Sequence, residues 1–317
     1  MITTDVNLVV EALGKGEIAA IPTETVYGLA ANAYQEKAIE KVFILKKRPT
    51  YNPLIVHIAS PDALKQVALN IPAKAQQLAN AFWPGPLTLV LQKQDQISNL
   101  VTAGKPTVAV RVPDHRLTLK LLNTLDFPLA APSANPFGSI SPTSAEHVKQ
   151  YFKTNLDFIL DGGKCSRGLE STIIGFENDA PILYRFGSLA QEDIEKVVGP
   201  IKIKNQNDSK PSAPGMLSRH YAPKTPTFLT HDVLKTIKKN NNKKIGLISF
   251  QKIENISSEI KHEVLSSKGN LKEAAKKLYA AMHHLDQQNL EVIIAQYFPE
   301  KGLGKTINDR LKRAVKK

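Results

Sequence analysis

Short apolar runs and amphipathic stretches of helical period alternate along the first two-thirds of the chain. Residues 17–22, 53–58, 87–92, 128–131, 158–160 and 171–176 are compact apolar runs of strand length. Residues 107–112 (TVAVRV) alternate as a strand does. Between them, residues 36–47 place Ala38, Ile39, Val42, Phe43 and Leu45 at helical spacing, and residues 72–82 and 116–125 read as helices. A further helix is predicted over 144–152, with Thr143 as its cap and Glu146 completing a capping box. This order predicts a mixed α/β domain with many short, buried strands.

Residues 199–226 break the pattern. They hold five prolines and no hydrophobic period, so they read as a long linker, a length usually reserved for function or disorder. Beyond it, residues 227–229, 245–250 and 292–296 predict three buried strands. Helices are expected over 233–239 and 271–287. The longer one carries a stripe of Leu271, Ala274, Ala275, Leu278, Met282 and Leu285 behind Asn270 as N-cap. A terminal helix over 306–317 gathers Ile307, Leu311 and Ala314. The expected division is therefore residues 1–200, a linker over 201–225, and a small βαβ-type domain over 226–317. A length of 317 residues suits about two domains.

Composition narrows the classes. The formal net charge is +13, but the charges of residues 1–200 cancel, and the whole excess lies beyond, +4 on 201–225 and +9 on 226–317. That excess fits either a lysine-rich solvated surface or an RNA-contact surface. A single cysteine, Cys165, excludes a disulfide framework and cysteine-rich metal sites and fits a reducing compartment. No signal peptide or membrane-length apolar run is visible, so a cytoplasmic location with no membrane partner is expected. Gly304-Lys305-Thr306 ends like a phosphate loop, but Pro299 stands where its first glycine is required. There is no G-x-G-x-x-G after a strand, no G-x-S-x-G and no H-E-x-x-H. His283 and His284 read as surface or half-buried residues on a helix.

Several polar clusters sit at strand ends, where open α/β sheets place ligands. They are Pro22–Leu29 (PTETVYGL), Lys46–Leu54 (KKRPTYNPL), His57, Arg111, Ala130–Ser141 (AAPSANPFGSIS), Gly162–Ile173 (GGKCSRGLESTI) and Leu183–Gly187 (LYRFG). Arg111, at the end of an apolar strand, needs a counter-charge, from a substrate carboxylate or from the protein. Together the clusters describe a hydroxyl-rich pocket with several cations and few general acids or bases. Such a pocket suits phosphates and a carboxylate, with catalysis by positioning and charge neutralisation.

The motifs PTETVYGL, K-x-R-P-x-x-N-P-L, W-P-G-P-L-T, A-P-S-A-N and S-T-I-I resemble the YrdC-like domain of threonylcarbamoyl-AMP synthases over about residues 5–198. The linker's S-A-P-G-M-L-S-R-H-Y-A-P and the final G-L-G-K-T-I-N-D-R-L resemble the longer, two-domain form. The resemblance implies a YrdC-like twisted mixed sheet plus a small Rossmann-like α/β domain. It also implies synthesis of L-threonylcarbamoyl-AMP and pyrophosphate from L-threonine, bicarbonate and ATP, with Mg2+ on the phosphates and no metal ligand from the protein. The product would serve a downstream tRNA threonylcarbamoyl transferase, and direct tRNA contact is possible but not required.

Position by position, the resemblance implies Lys46, Arg48, Ser133 and Asn135 for phosphate handling. It implies Thr25, His57, Arg111, the Ala131 backbone and Ser171 for threonine, with Arg111 on its carboxylate and Tyr27 packing nearby. Arg48, Asn52, Thr107, Ser133, Ser141 and Arg185 fall on the nucleotide side. Pro214, Gly215, His220 and Tyr221 belong to a segment expected to fold over the site as a lid. Two other readings compete: an RNA-binding module, and a carbamoyl-transfer maturation factor. The absence of RNA-binding signatures speaks against the first; the single cysteine and lack of extra domains speak against the second.

Overall fold

The structure, a computed structural model, describes residues 1–204, 213–216 and 220–315. Among the described residues, twelve strands form one mixed sheet. They are β1 (Ile2–Thr3), β2 (Ala19–Ile21), β3 (Gly28–Asn32), β4 (Ile55–His57), β5 (Ala68–Leu69), β6 (Leu87–Lys93), β7 (Thr107–Arg111), β8 (Leu129–Ala130), β9 (Phe158–Leu160), β10 (Thr172–Glu177), β11 (Ala180–Arg185) and β12 (Lys202–Ile203). Their order is β1-β9-β2-β3-β8-β4-β7-β6-β10-β11-β12, with β5 paired to β6. The central strands are apolar on both faces because both faces are covered.

One face packs under α2 (Glu36–Lys46), α3 (Ala73–Phe82) and α6 (Ala145–Phe152), which follow α1 (Val6–Gly14) along the chain with α4 (Asn99–Thr102) and α5 (Arg116–Thr124) between. The other face is divided. Around β2, β3 and β9 it is covered by Val6, Val9 and Leu13 of α1 and Leu121 and Leu122 of α5. Around β4, β7, β10 and β11 no helix among the described residues covers it. There Ile55, Val90, Ala109, Ile173 and Ile182 pack against Ala213 and Met216 of the linker. The expected linker thus also serves as part of the core, and it supplies the edge strand β12 on β11.

After α7 (Gln191–Val198) and the linker comes a second, all-parallel sheet, β13-β16-β14-β15: β13 (Thr227–Thr230), β14 (Ile245–Ser249), β15 (Lys261–Val264) and β16 (Val292–Gln296). The helix α8 (Val233–Lys239) packs on one face, and α9 (Leu271–Asp286) and α10 (Leu303–Val315) on the other. The expected Rossmann-like layering is present, with differences. There are four strands where three were expected; β15 is polar and half-exposed, so no apolar run marks it. The edge strand β13 is partly exposed rather than buried. The last helix begins at Leu303, and Asn270 caps α9 through the Lys272 and Glu273 N–H groups.

Other local expectations shift. The cap of α6 is Ser144, which accepts from the His147 N–H, while the Thr143 N–H turns to His147 Nδ1. Glu146 therefore falls one residue short of the capping-box position. The helices α1 and α7 and the strands β3 and β11 had no counterpart in the sequence reading. His283 is buried, stacked on His147 at 3.9 Å, whereas His284 is exposed and pairs with Glu263. Residues 205–212 and 217–219 of the expected linker, and Lys316 and Lys317, lie outside the described residues.

Candidate active site

The pocket forms where the strands of the helix-free half end. In parallel β4 and β7, His57 and Arg111 are register partners. Side chains alternate with period two, so both project to the linker side, one step beyond Ile55 and Ala109. The turn between β2 and β3 supplies Thr23, Thr25 and Val26. The loop after β8 supplies Ala131, Pro132 and Ser133, and the loop leading into β10 supplies Glu170 and Ser171. Arg185 ends β11, where the register advances one residue on β10 and two on β11. That bulge re-aims Arg185 toward the linker, against simple alternation. Pro214, Gly215, His220 and Tyr221 close the cavity from above.

The K-x-R and S-x-N residues come together, with unequal roles. Lys46 is fully buried, and its ammonium donates to the carbonyls of Ser133 and Asn135. Burial, reinforced by Arg48, pulls its pKa well below the usual lysine range. Lys46 therefore clamps the A-P-S-A-N loop from behind and does not line the cavity. The Asn135 amide donates to the carbonyls of Pro136 and Ser139, and its Oδ1 is buried without a partner among the described residues. Ser133 lines the cavity, and the backbone bridge Gly28–Ser133 ties its loop to β3.

Arg48 does reach the pocket. Its Nε and Nη2 donate to the Asn52 carbonyl, Asn52 Oδ1 and the Pro53 carbonyl, at 3.1, 2.7 and 2.7 Å. Burial, with Arg185 adding like charge, brings its pKa down to about 9, so it remains charged at neutral pH. Asn52 acts as its bracket from outside the lining. Arg185 donates to the Ser171 carbonyl, Ser171 Oγ and the Pro214 carbonyl. Ser171 Oγ also meets Thr88 Oγ1 at 2.7 Å. Two buried arginines thus face one cavity with their charge unopposed at contact distance, which is an anion seat.

The other end of the cavity holds His57 and Arg111. Burial, and then the Arg111 charge, hold the His57 pKa down to about 3, so the ring is neutral; its Nδ1 has no partner among the described residues. Arg111 finds its counter-charge within the protein: Glu24 lies 2.6 Å away, and the Asp114 N–H also donates to that carboxylate. Thr25 Oγ1 meets Thr23 Oγ1 at 2.7 Å, and Thr23 donates onward to the Val26 carbonyl. Tyr27 donates to the Gly163 carbonyl beneath this turn, outside the lining.

Two further expected residues also stay apart from the lining. Thr107 starts β7, four residues from Arg111, a distance of roughly 13 Å along a strand. Ser141 stands one bond behind: its hydroxyl donates to Glu170 at 2.6 Å. Glu24, Glu170, Thr23 and Thr88 were not singled out from sequence; the two glutamates were visible only as members of their loops. No sequence signal placed Arg310 and Tyr279 here. They reach Glu170 from α10 and α9, at 2.8 Å and 2.9 Å. Burial alone would raise the Glu170 pKa, but the Arg310 and Arg185 charges and the Ser141 hydroxyl overcome it and hold the carboxyl at about 2. His220 is buried beside Phe137 and Tyr221, and burial, with Arg48 nearby, lowers its pKa to about 3.

Comparison with known proteins gives the same picture over the whole chain. A family model described as "Telomere recombination" matches residues 11–187, and one described as "Threonylcarbamoyl-AMP synthase, C-terminal domain" matches residues 189–315. The threonylcarbamoyl-AMP synthase of Pyrococcus abyssi is 42% identical over 316 residues, covering 95% of this chain and 91% of that protein. That of Bacillus subtilis is 40% identical over 314 residues, covering 96% and 90%. The crystal structure of P. abyssi Sua5 complexed with L-threonine superposes with a TM-score of 0.91 at 40% identity, covering 98% of this chain and 94% of that one.

Proposed function

The chain belongs to the threonylcarbamoyl-AMP synthase family and carries its adenylate-forming activity, and we propose that the cavity under the linker unites L-threonine, bicarbonate and ATP. The observation that supports this most is the division of one cavity into two ends. Arg48 and Arg185 offer positive charge without an ion-pair partner among the described residues at one; His57, Thr25 and the Arg111–Glu24 pair offer a neutral, hydrogen-bonding surface at the other. The first end suits a triphosphate. The second suits a zwitterionic amino acid, and threonine is the substrate held by the P. abyssi relative.

In the proposed reaction the threonine ammonium gives up a proton, bicarbonate takes one and loses water to become CO2, and the free amine adds to the CO2 carbon, a second proton leaving nitrogen as the carbamate forms. The carbamate oxygen then attacks the α-phosphorus of ATP, and the bond to the β-phosphate oxygen breaks with release of pyrophosphate. Both reactants are anions, so bringing them together is the main barrier. Arg48 and Arg185 lower it by fixed positive charge, and their carbonyl partners hold them so that little reorganisation is needed. Lys46 and Asn135 set the path of the A-P-S-A-N loop, and Ser133 offers its hydroxyl from that loop. The Ser171 hydroxyl is held between Thr88 and Arg185, at the junction of the two ends. Pro214, Gly215, His220 and Tyr221 shield a labile adenylate from water.

Mg2+ fits as a companion of the phosphates rather than as a protein-bound ion. The carboxylates nearest the cavity, Glu24 and Glu170, are each taken up by arginine. When present, Mg2+ would neutralise phosphate charge. No helix among the described residues is long and apolar enough to cross a membrane. We place the enzyme in the cytoplasm, upstream of a tRNA threonylcarbamoyl transferase, with the net charge of +9 on 226–317 available to RNA. The test follows pyrophosphate release with ATP, threonine and bicarbonate. Release must require all three; release that persists without threonine or without bicarbonate refutes the reading. Salt-dependent tRNA binding by the full chain, lost when lysines in 226–317 are neutralised, tests the RNA contact.

A further inference from the structure

Helix α10 belongs to the second sheet's layer, yet one of its faces is committed to the pocket. Thr306, Arg310 and Arg313 recur at a spacing of four and three residues, along one side of the helix. Thr306 donates to the Gly187 carbonyl at 2.9 Å. Arg310 donates through Nε to Glu170 at 2.8 Å, through Nη2 to the Phe186 carbonyl and through Nη1 to Asp309. The Arg313 carbonyl accepts from the His220 N–H at 3.3 Å. Phe186 and Gly187 directly follow Arg185, and Glu170 directly precedes Ser171. The helix therefore grips the neighbours of two pocket side chains and the closing segment at once.

Arg310 is the junction. It is completely buried, and its guanidinium also lies 4.7 Å from the centre of the Tyr221 ring, which stacks at 5.9 Å on Tyr279. Tyr221 has φ of 63°, a left-handed conformation that costs a bulky residue energy and persists only where packing imposes it. Glu170, for its part, accepts from Ser141, Tyr279 and Arg310. It lines the same cavity as Arg48 and Arg185 and is near enough to Arg185 for their charges to interact. A carboxylate beside an anion seat is a hazard, because free to turn it would occupy the seat itself. A buried ion pair is weak evidence for stability, so a positional role is the better account of this one.

Building on the ATP reading above, we propose that Arg310 is a positioning residue of the synthase reaction. It restrains Glu170 from pairing with the pocket arginines and seats Tyr221 over them, so that the second domain sets the affinity of the phosphate end.

The experiment measures pyrophosphate release against ATP and against threonine for the full chain and for Arg310→Met, Tyr279→Phe and Arg310→Met/Glu170→Gln. Arg310→Met should raise KM for ATP at least tenfold while KM for threonine stays within twofold. Neutralising the released carboxylate should reverse this, so the double variant should regain most of the ATP affinity. A purely structural role predicts the opposite, since a second core substitution adds damage. Tyr279→Phe, which removes one hydroxyl from Glu170, should raise KM for ATP a few-fold. It decides the matter if Arg310→Met does not fold. Unchanged KM for ATP in the folded variants, equal changes for both substrates, or no rescue by Glu170→Gln overturns the proposal. A wild-type protein that fails to release pyrophosphate refutes instead the reading on which it rests.

Discussion

Arg111 and Glu24 lie 2.6 Å apart, and their side chains are only 4% and 3% exposed. The pair supplies the strand-end arginine with a counter-charge from within the protein. Glu24 arrives from the β2–β3 turn and Arg111 from β7, so the pair also fixes the turn that carries Thr23 and Thr25. Removing one partner strands a buried charge, which costs about 3–5 kcal/mol. Glu24→Gln and Arg111→Met should each lower stability in urea by that order. The double substitution should cost less than the sum of the two, because no unpaired charge remains. Additive losses would mean that the two side chains do not depend on each other.

The phosphate end separates by a different measurement. Arg48 faces the cavity, whereas Lys46 and Asn135 act on the loop behind it. Arg48→Ala should reduce turnover at least a hundredfold, the scale of losing a preorganised charge contact. It also removes the donor to Asn52 Oδ1 and to the Asn52 and Pro53 carbonyls, so its melting temperature should fall as well, and turnover is compared at a temperature where the variant is folded. Lys46→Met and Asn135→Ala leave buried carbonyls without donors, at about 1–3 kcal/mol each. They should lower the melting temperature together with turnover. Near-wild-type turnover in Arg48→Ala would remove it from the mechanism. A loss of turnover without destabilisation in Lys46→Met would give that lysine a direct role.

Much of this was legible because strands buried on both faces announce themselves as apolar runs, and because the pocket residues sit in compact motifs at strand ends. What escaped did so for physical reasons. The strand β3 is Gly28–Asn32, whose small residues imitate a turn, and β15 is polar because it lies half-exposed at an edge. Arg185 points to the pocket only through the bulge opposite Ile173 and Ile174, which no alternation rule foretells. Tyr279 reads as an ordinary member of an amphipathic helix, and Arg310, though inside the G-L-G-K-T-I-N-D-R-L motif, carries no signal that turns it toward the pocket. Their partner, Glu170, is more than a hundred residues away, and chain distance carries no signal of such a contact.

Gly215 gives the lid a sharp test. Its φ is 79°, and a Cβ built there would stand 2.6 Å from the Tyr221 hydroxyl and 2.9 Å from the Arg185 side chain. Gly215→Ala meets both a strained backbone and a blocked closure. It should lower kcat about tenfold or more and speed hydrolysis of the adenylate, with little change in global stability. Product analysis would show more free threonine and AMP per pyrophosphate released. Wild-type yield of intact adenylate in this variant would refute the lid.

Acid stability should fall in two windows with different owners. Burial holds His57, His220 and His283 at pKa values of about 3, each against an ordinary 6.5. The unfolded chain binds a proton at each as pH drops below 6.5, while the folded chain does not until near 3. Their stabilising effect is thus complete above pH 6.5 and is lost between 6.5 and 3, at about 1.4 kcal/mol per pH unit for each ring. Glu170 behaves as a depressed acid, at about 2 against an ordinary 4.5. Its contribution is complete above 4.5 and is lost as pH falls from 4.5 toward 2. Urea unfolding from pH 7.5 to 5.5 should therefore become shallower in His57→Gln and remain unchanged in slope in Glu170→Gln. Glu170→Gln should flatten the loss only below pH 4.5, whereas His57→Gln flattens it from 6.5 down to about 3. If His57→Gln keeps the full wild-type slope between 6.5 and 5.5, the ring must be protonated in the folded protein, and the neutral surface assigned to the threonine end would be wrong.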